Sequence, residues 1–200
     1  MTIAVNMATG PTIMLQSGAW FDILAPGSST FTIEDIAHGL AHTCRYAGQC
    51  RDFYSVAEHS LHVSNVCDEG KLEALLHDAA EAFIGDVTRP LKQLLPEYKR
   101  IEKAVERAVV ERFGLTMPAP AAIKEADLRV LAAEQAQIMA PSTSEWARNS
   151  GVYPAPIRVE FMPPKAAKRA FLRRYAELAA ERRLQPEPPR QAELQLAGIG

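Results

Sequence analysis

The sequence Leu72-Glu73-Ala74-Leu75-Leu76-His77-Asp78-Ala79-Ala80-Glu81-Ala82-Phe83 is rich in leucine and alanine, and this composition predicts one buried helix. Burying ionisable side chains without partners costs several kcal/mol, so the histidine and the carboxylates in this run need compensation. At about 100° per residue, His77 and Glu81 share a face of the helix, and Asp78 lies on its flank. A metal ion is the simplest partner for these three side chains.

Size and composition indicate one globular domain. A chain of 200 residues with 48% hydrophobic side chains can bury a full core. The formal net charge of −2 disfavours a protein that binds nucleic acid by general electrostatic attraction. The three cysteines lack CxxC spacing, which disfavours a disulfide framework or a thiolate zinc site and indicates reduced thiols. The N-terminus lacks the pattern of a secretion signal, and no apolar run reaches about 18 residues, so we expect a cytoplasmic protein without membrane contact.

The chain is predicted to divide into three parts. Residues 1–31 form an irregular segment or β-hairpin, in which Thr2–Met7 and Thr12–Leu15 are the candidate strands. We expect Trp20 and Phe21 to pack there as a lid on the helical body, and stacking on a ligand is the alternative. Residues 32–183 form the helical body, and residues 184–200 form a polar, proline-interrupted tail that we expect to be disordered.

Caps, prolines and apolar periodicity predict the helices of the body. The predicted helices run from Thr32 to about Cys44, from Tyr54 or Ser55 to Val66, from Pro96 to Phe113, from Ala121 to Ala140, and from Pro163 to about Arg183. We expect Thr88–Lys92 to form a turn beside which a substrate enters, and residues 141–162 to form an irregular capping loop.

Further candidate ligands come from the neighbouring helices. His59 shares an apolar face with Val56 and Val63, and only a few residues around Gly70 connect its helix to His77, so the two helices should lie side by side. Asp127 lies in an otherwise core-like pattern and would again need a cation. His38 and His42 have a zinc-like spacing, but no acidic ligand lies between them, which favours a structural or surface role.

Three sequence motifs resemble a known family. They are Tyr54-Ser-Val-Ala-Glu-His59-Ser, Leu76-His77-Asp78-Ala-Ala-Glu81-Ala-Phe-Ile-Gly85-Asp86 and Glu125-Ala-Asp127-Leu. Over about residues 30–140 the chain is similar to the HD-domain phosphohydrolases, most closely to their compact branch of bacterial 5'-deoxynucleotidases and phage dATP-type deoxynucleotide phosphohydrolases. The resemblance implies an all-α helical bundle. It also implies that one divalent metal is bound by four side chains, His59, His77, Asp78 and Asp127.

The implied ligand set suits Zn²⁺, Mn²⁺, Fe²⁺, Co²⁺ or Ni²⁺, with room for a second Mg²⁺ or Co²⁺ on the substrate phosphates. Such a metal lowers the pKa of bound water from near 16 toward about 7. Glu81 is then placed to take the water proton or to relay it to the leaving group. In the resembling family, residues at the positions of Arg45 and Asp86 contact the substrate or the attacking water.

Other substrate contacts are predicted around these positions. Arg89 and Lys92 are candidates for binding phosphate. Arg51 either holds a phosphate, stays solvated or pairs with Asp52. Several family members have tryptophan directly after the substrate arginine, where this chain has Tyr46. Pro90 either packs on a base or only forms the turn.

The sequence therefore predicts a metal-dependent phosphohydrolase of 2'-deoxynucleotides in the cytoplasm, or in the host cytoplasm if a phage encodes it. Hydrolysis of a dNTP to nucleoside and triphosphate is favoured. A 5'-nucleotidase that releases phosphate from a dNMP is the main alternative. Hydrolysis of an alarmone or cyclic dinucleotide and a non-catalytic helical binding module are further alternatives. The partner is a small-molecule nucleotide rather than a nucleic acid or membrane, and we expect a homo-oligomer.

Overall fold

The computed structural model describes residues 10–184, and over this range the protein is all-α with one small sheet. The helices are α1 (Ile33–His42), α2 (Val56–Val66), α3 (Lys71–Leu75), α4 (Glu81–Ile84), α5 (Arg89–Leu94), α6 (Pro96–Phe113), α7 (Ala121–Ile138), α8 (Glu145–Asn149) and α9 (Pro164–Leu184). None of the helices in the described range is long and apolar enough to cross a membrane. The predicted helical fold with an N-terminal hairpin is confirmed.

The hairpin contains one of the predicted strands, Thr12–Leu15, but pairs it with a strand that was not predicted. Strand β1 (Thr12–Met14) pairs antiparallel with β2 (Trp20–Asp22), and residues 15–19 connect the two strands. The candidate strand Thr2–Met7 lies outside the described residues, as do residues 185–200 of the predicted tail. Phe21 is fully buried and stacks on Phe83 with ring centroids 4.0 Å apart, whereas Trp20 remains 46% exposed. Packing on the helical body is therefore confirmed for Phe21 but not for Trp20.

Helix α1 begins at the predicted cap. The Thr32 side chain accepts from the backbone N–H of Asp35, and an Asp35 carboxylate oxygen accepts from the backbone N–H of Thr32. The other oxygen of Asp35 accepts from the backbone N–H of Ser17 at 3.1 Å. This carboxylate therefore connects the hairpin to the first turn of α1.

The prediction of one helix from Leu72 to Phe83 is wrong. Helix α3 ends at Leu75 and α4 starts at Glu81, and turns connect them. Leu76 leaves helical geometry with φ −102° and ψ 9°, and the backbone then forms tighter i→i−3 hydrogen bonds, as from the N–H of Glu81 to the carbonyl of Asp78. His77 and Asp78 therefore lie on the turns of residues 76–80 rather than inside a helix.

Helix α1 approaches α4 closely. A Cβ placed on Gly39 would lie 2.6 Å from the carbonyl oxygen of Ala82, which is shorter than any ordinary contact. Only a residue without a side chain lets the backbones of α1 and α4 meet in this way. The position of α4, and of Glu81 at its start, thus depends on Gly39.

Two other predictions of irregular structure are corrected. Thr88–Lys92 is not a simple turn, because the chain enters α5 at Arg89 with Pro90 in the first helical turn. A proline is tolerated there since the first N–H groups of a helix have no partner within the helix. The predicted loop of residues 141–162 contains the short helix α8, and its last part is held by Glu58, whose carboxylate accepts from the N–H groups of Glu160 and Met162 at 2.6 and 2.7 Å.

The main core joins the hairpin to the helices. Its aromatic centre consists of Phe21, Phe31 and Phe83, and helices α1, α6 and α9 pack around it. A second apolar cluster between α2 and α7 includes Val63, Ile123 and Val130. Cys44, Cys50 and Cys67 are all free thiols, as the sequence predicts.

Candidate metal centre

His59 is presented by the first turn of α2. Ser55 caps this helix by accepting from the N–H of Glu58 at 3.1 Å, and His59 follows on the inner face with no exposed surface. Its Nδ1 lies 2.6 Å from Oε1 of Glu134. Because a carboxylate can only accept, Nδ1 carries a proton, and Nε2 is left to face the centre.

His77 approaches His59 from the turns between α3 and α4. Its Nδ1 donates to the carbonyl oxygen of Ala74 at 2.8 Å, which leaves Nε2 as the free nitrogen. The Nε2 atoms of His77 and His59 lie 3.3 Å apart. Two ring nitrogens of the kind that bind metals therefore point at each other.

Asp78 completes a group of three ligand-type side chains, and Asp127 lies beside it. Oδ2 of Asp78 lies 3.1 Å from Nε2 of His77 and 3.5 Å from Nε2 of His59. His59, His77 and Asp78 each offer an atom within 4.8 Å of the others. Asp127 reaches the group from α7, with Oδ1 at 3.4 Å from Nε2 of His59, while its Oδ2 accepts from Lys124 at 2.9 Å.

Because the charged groups of this cluster lie close together, they shift the pKa values of His59 and Asp78. Burial disfavours charge on His59 and Arg45 opposes it further, yet the carboxylates of Glu134 and Asp127 outweigh both and raise the pKa of His59 to about 9. Burial alone would raise the pKa of Asp78, but the two histidines and Arg45 hold it well below its usual range. The cluster thus stabilises positive charge at its middle. Two imidazole nitrogens and two carboxylate oxygens form a donor set that fits a divalent transition metal or zinc.

Arg45 lies at the edge of this cluster. Its side chain is 11% exposed, with Nη1 at 3.7 Å from Oδ2 of Asp78 and Nη2 at 3.3 Å from Oε2 of Glu134. Its Nε is buried and has no hydrogen-bond partner among the described residues. The hydroxyl of the neighbouring Tyr46 donates to Glu134 at 2.7 Å. Two of the predicted substrate residues, Arg45 and Tyr46, are therefore held beside the candidate metal ligands.

The sequence interpretation missed Glu134. This glutamate is fully buried on α7 and accepts from His59, Tyr54 and Tyr46. Burial opposes its ionisation, but Arg45 and His59 lower its pKa to about 2. The available signal was its spacing of seven residues from Asp127, which places both acids on one face of the helix two turns apart.

Glu81, a predicted catalytic acid, interacts electrostatically with Asp78 of the cluster and with Asp86, the other predicted catalytic acid. Glu81 is 7% exposed, with Oε1 at 3.6 Å from Nζ of Lys92 and Oε2 buried without a hydrogen-bond partner among the described residues. Burial raises its pKa to about 9, with the negative charges of Asp78 and Asp86 adding to the effect. A carboxyl of this kind can hold a proton at neutral pH.

The remaining residues predicted to contact the substrate are Arg51, Arg89, Pro90 and Lys92. Lys92 lies between two acids, since its Nζ also donates to Glu102 at 2.5 Å, while Arg89 and Pro90 are exposed at the start of α5. Arg51 is exposed, which agrees with the solvated alternative, and its guanidinium carbon lies 5.1 Å from the ring centroid of Phe161, a contact that was not predicted.

The other pair of histidines, His38 and His42, lies on α1. His42 is exposed and its Nδ1 donates to the carbonyl of His38 at 2.8 Å, within α1. The two rings contact each other, with centroids 4.2 Å apart. This arrangement agrees with a structural or surface role.

The fold and this cluster define a helical protein with a candidate metal centre built from α2, the turns before α4, and α7. The chain is 38% identical over 154 residues to the uncharacterized protein YfdR of Escherichia coli (strain K12), which covers 76% of this chain and 86% of YfdR. It is also 38% identical over 181 residues to the uncharacterized protein RCAP_rcc00048 of Rhodobacter capsulatus, covering 80% of this chain and 92% of that protein. The chain matches no family model. It belongs to the family of YfdR and RCAP_rcc00048.

Proposed function

We propose that this protein is a metal-dependent phosphohydrolase of the HD-domain class that acts on 2'-deoxynucleotides. The observation that carries the proposal is the facing pair of Nε2 atoms of His59 and His77, 3.3 Å apart, with both Nδ1 atoms engaged elsewhere and Asp78 beside them. Electron-donating atoms gathered in this way are stabilised by a cation.

Four side chains would hold the divalent ion: His59, His77, Asp78 and Asp127. When bound, such an ion makes a water molecule a nucleophile near neutral pH and offsets charge on a phosphoryl oxygen. The mixed nitrogen and oxygen ligand set is compatible with Mn²⁺, Co²⁺, Fe²⁺, Ni²⁺ or Zn²⁺.

Arg45 binds the phosphate in this proposal. Its guanidinium is nearly buried, so its charge is weakly screened, and its Nε has no hydrogen-bond partner among residues 10–184. Planar guanidinium groups bind phosphate oxygens with charge-assisted hydrogen bonds. The ion pair with Asp78 places this cation at the edge of the candidate metal centre.

Glu81 moves the proton. Its raised pKa, about 9, keeps a proton on the carboxyl at neutral pH, and this proton can pass to the departing oxygen. Lys92 lies 3.6 Å from Oε1 and fixes this side of the carboxyl. Asp86, whose charge acts on Glu81, helps to keep the proton there.

The substrate class rests on the resemblance of the three motifs to HD-domain phosphohydrolases. A dNTP that loses its triphosphate as one unit is the favoured substrate, and a dNMP that loses phosphate is the alternative. Tyr46, which follows the phosphate-binding Arg45, and the exposed Pro90 are the residues proposed to contact the nucleoside.

Turnover assays test this function. The purified protein is incubated with each dNMP and each dNTP in the presence of Mn²⁺, Co²⁺ or Mg²⁺, and the products are separated by chromatography. Triphosphate release from a dNTP supports the favoured reaction, whereas phosphate release only from dNMPs shows the alternative. The His77→Ala variant is the control for a contaminating phosphatase. If the wild-type protein releases neither product from any nucleotide, the proposal is rejected.

A further inference from the structure

The carboxylate of Glu134 divides its two oxygens between two sets of donors. Oε1 accepts from Nδ1 of His59 at 2.6 Å and from the hydroxyl of Tyr54 at 2.7 Å. Oε2 accepts from the hydroxyl of Tyr46 at 2.7 Å and faces Nη2 of Arg45 at 3.3 Å. Every one of these groups lies in the chain segment before or within α2, so Glu134 connects α7 to that segment.

This arrangement fixes the carboxylate. Glu134 has no exposed surface, and a buried charge is stable only when hydrogen bonds and opposite charge compensate it. With both oxygens engaged, rotation of the carboxylate would break strong hydrogen bonds at low dielectric. The oxygen that faces His59 therefore has a defined position.

We infer that Glu134 is a positioning residue, which holds the ring of His59 with Nε2 toward the candidate metal ligands and so increases the affinity of the centre for a divalent cation. This inference rests on the proposed metal centre. The proton on Nδ1 selects the tautomer that leaves the Nε2 lone pair free, and a negatively charged acceptor makes the imidazole a stronger ligand.

The two histidines differ in this respect. His77 donates its Nδ1 proton to a neutral backbone carbonyl, that of Ala74, whereas His59 donates to a carboxylate. Loss of the carboxylate should therefore affect His59 selectively. Removing a hydrogen-bond partner of this kind typically reduces metal affinity by about 10- to 100-fold.

The test measures metal affinity directly. The full-length protein is stripped of metal with a chelator and titrated with Mn²⁺ by isothermal titration calorimetry. Glu134→Gln, which keeps the shape of the side chain but removes its charge, is expected to bind Mn²⁺ about 10- to 100-fold more weakly than the wild type. Loading with Co²⁺ gives a second measurement, since the visible absorption bands of Co²⁺ report the ligand geometry and should shift in this variant.

Glu58→Gln is the matched control. Glu58 is another fully buried glutamate, located next to His59, but its carboxylate holds the backbone N–H groups of Glu160 and Met162. This variant is expected to lose stability while it keeps the wild-type affinity for Mn²⁺, because the contact between Glu134 and His59 stays intact. An equal loss of affinity in both variants would overturn the inference, because the loss would then reflect general destabilisation.

Other outcomes are also decisive. If folded Glu134→Gln binds Mn²⁺ like a wild type that itself binds Mn²⁺, the inference fails while the proposed metal centre stands. If the wild type binds no Mn²⁺, Co²⁺ or Zn²⁺, the proposed function and the inference both fail. If Glu134→Gln does not fold, the Tyr46→Phe/Tyr54→Phe double variant replaces it, since it removes two of the donors that fix Glu134. Unchanged affinity in that folded variant would reject the inference.

Discussion

The Nε2 atoms of His59 and His77 lie 3.3 Å apart, although both rings donate their Nδ1 protons to other acceptors. Two neutral rings would bring two lone pairs together, which is unfavourable, and Asp78 adds a carboxylate oxygen beside them. A proton or a metal cation removes this repulsion. Stabilisation of the folded protein by added metal distinguishes a bound metal ion from a bound proton.

Metal addition should stabilise the protein. A ligand at about 100 times its Kd that binds only the native state adds about 2.7 kcal/mol to the free energy of unfolding. We expect Mn²⁺ to raise the Tm of the wild type and to leave that of Asp78→Asn unchanged, as followed by thermal unfolding with and without chelator. Asp68→Asn changes an exposed aspartate between α2 and α3, so it should retain the wild-type response. An equal rise in Asp78→Asn would contradict the ligand assignment.

Replacing Glu81 should separate metal binding from turnover. Glu81→Gln keeps the size of the side chain but removes a group that can exchange a proton, so we expect turnover to fall by about 10²- to 10⁴-fold. Metal content, measured by elemental analysis, should stay at the wild-type level. Glu97→Gln, at an exposed glutamate paired with Arg100, serves as the control. Wild-type turnover in Glu81→Gln would exclude the proposed proton transfer.

Helix positions were largely predictable because local signals mark them. Thr32 and Asp35 form the predicted cap of α1, and prolines begin α6 and α9 close to the predicted residues. The break after Leu75 was not predictable from composition, since alanine and leucine favour a continuous helix equally well on both sides of it. Its tighter turns become favourable when the side chains of His77 and Asp78 reach partners elsewhere in the fold.

The site was predictable where motifs exist and hidden where only tertiary contacts define it. His59, His77 and Asp78 carry a recognisable spacing, and the structure brings them within 4.8 Å of one another. Glu134 instead obtains its role from a partner 75 residues away in the sequence, His59. Periodicity can place such a residue on an inner face, but it does not identify the partner.

Gly39→Ala should destabilise the protein. Alanine favours helix over glycine by about 0.5–1 kcal/mol, but the added Cβ would meet the backbone of Ala82 at 2.6 Å. Overpacking of this kind costs about 1–3 kcal/mol, so we expect a net loss in the free energy of unfolding, measured in urea. Gly27→Ala is the control, since a Cβ there meets no atom of residues 10–184 within 4 Å. Higher stability of Gly39→Ala would show that α1 and α4 can separate without cost.

The hairpin should unfold together with the helices. Phe21 is fully buried against Phe83, and replacing a buried phenylalanine by alanine costs about 3–5 kcal/mol. We expect Phe21→Ala to shift the single unfolding transition of the whole protein to lower urea concentration. Trp20→Ala, at the exposed neighbour, should have a much smaller effect. A separate early transition in Phe21→Ala would instead indicate an independent N-terminal segment.

Asp35 should make stability depend on pH. Burial raises the pKa of this carboxyl, but hydrogen bonds from Ser17 and Thr32 outweigh burial and lower it below the ordinary value. Because the folded-state pKa is depressed, the charged carboxylate of Asp35 contributes fully to the free energy of unfolding at neutral pH. This contribution is lost as the pH falls through the folded-state pKa. We expect Asp35→Asn to cost about 1–2 kcal/mol at neutral pH.

The measurement compares urea unfolding of wild type and Asp35→Asn at neutral pH and below about pH 4, the ordinary range of aspartate. The difference between the two proteins should narrow in acid, because the wild-type carboxylate becomes protonated there. Asp52→Asn, at an exposed aspartate, controls for the loss of a surface charge. A difference that is constant with pH would mean that the charge of Asp35 does not stabilise the cap.

The carboxylate of Glu58 also sets an order for events during synthesis. Its backbone partners at Glu160 and Met162 follow it by 102 and 104 residues. At bacterial and eukaryotic translation speeds, α2 leaves the ribosome roughly 5 to 20 s before these partners do. Until then, the glutamate next to His59 cannot be buried without an uncompensated charge. A nascent chain that has not reached residue 160 contains all four proposed metal ligands. It still lacks the backbone N–H groups that hydrogen-bond to Glu58 and hold α2 in place.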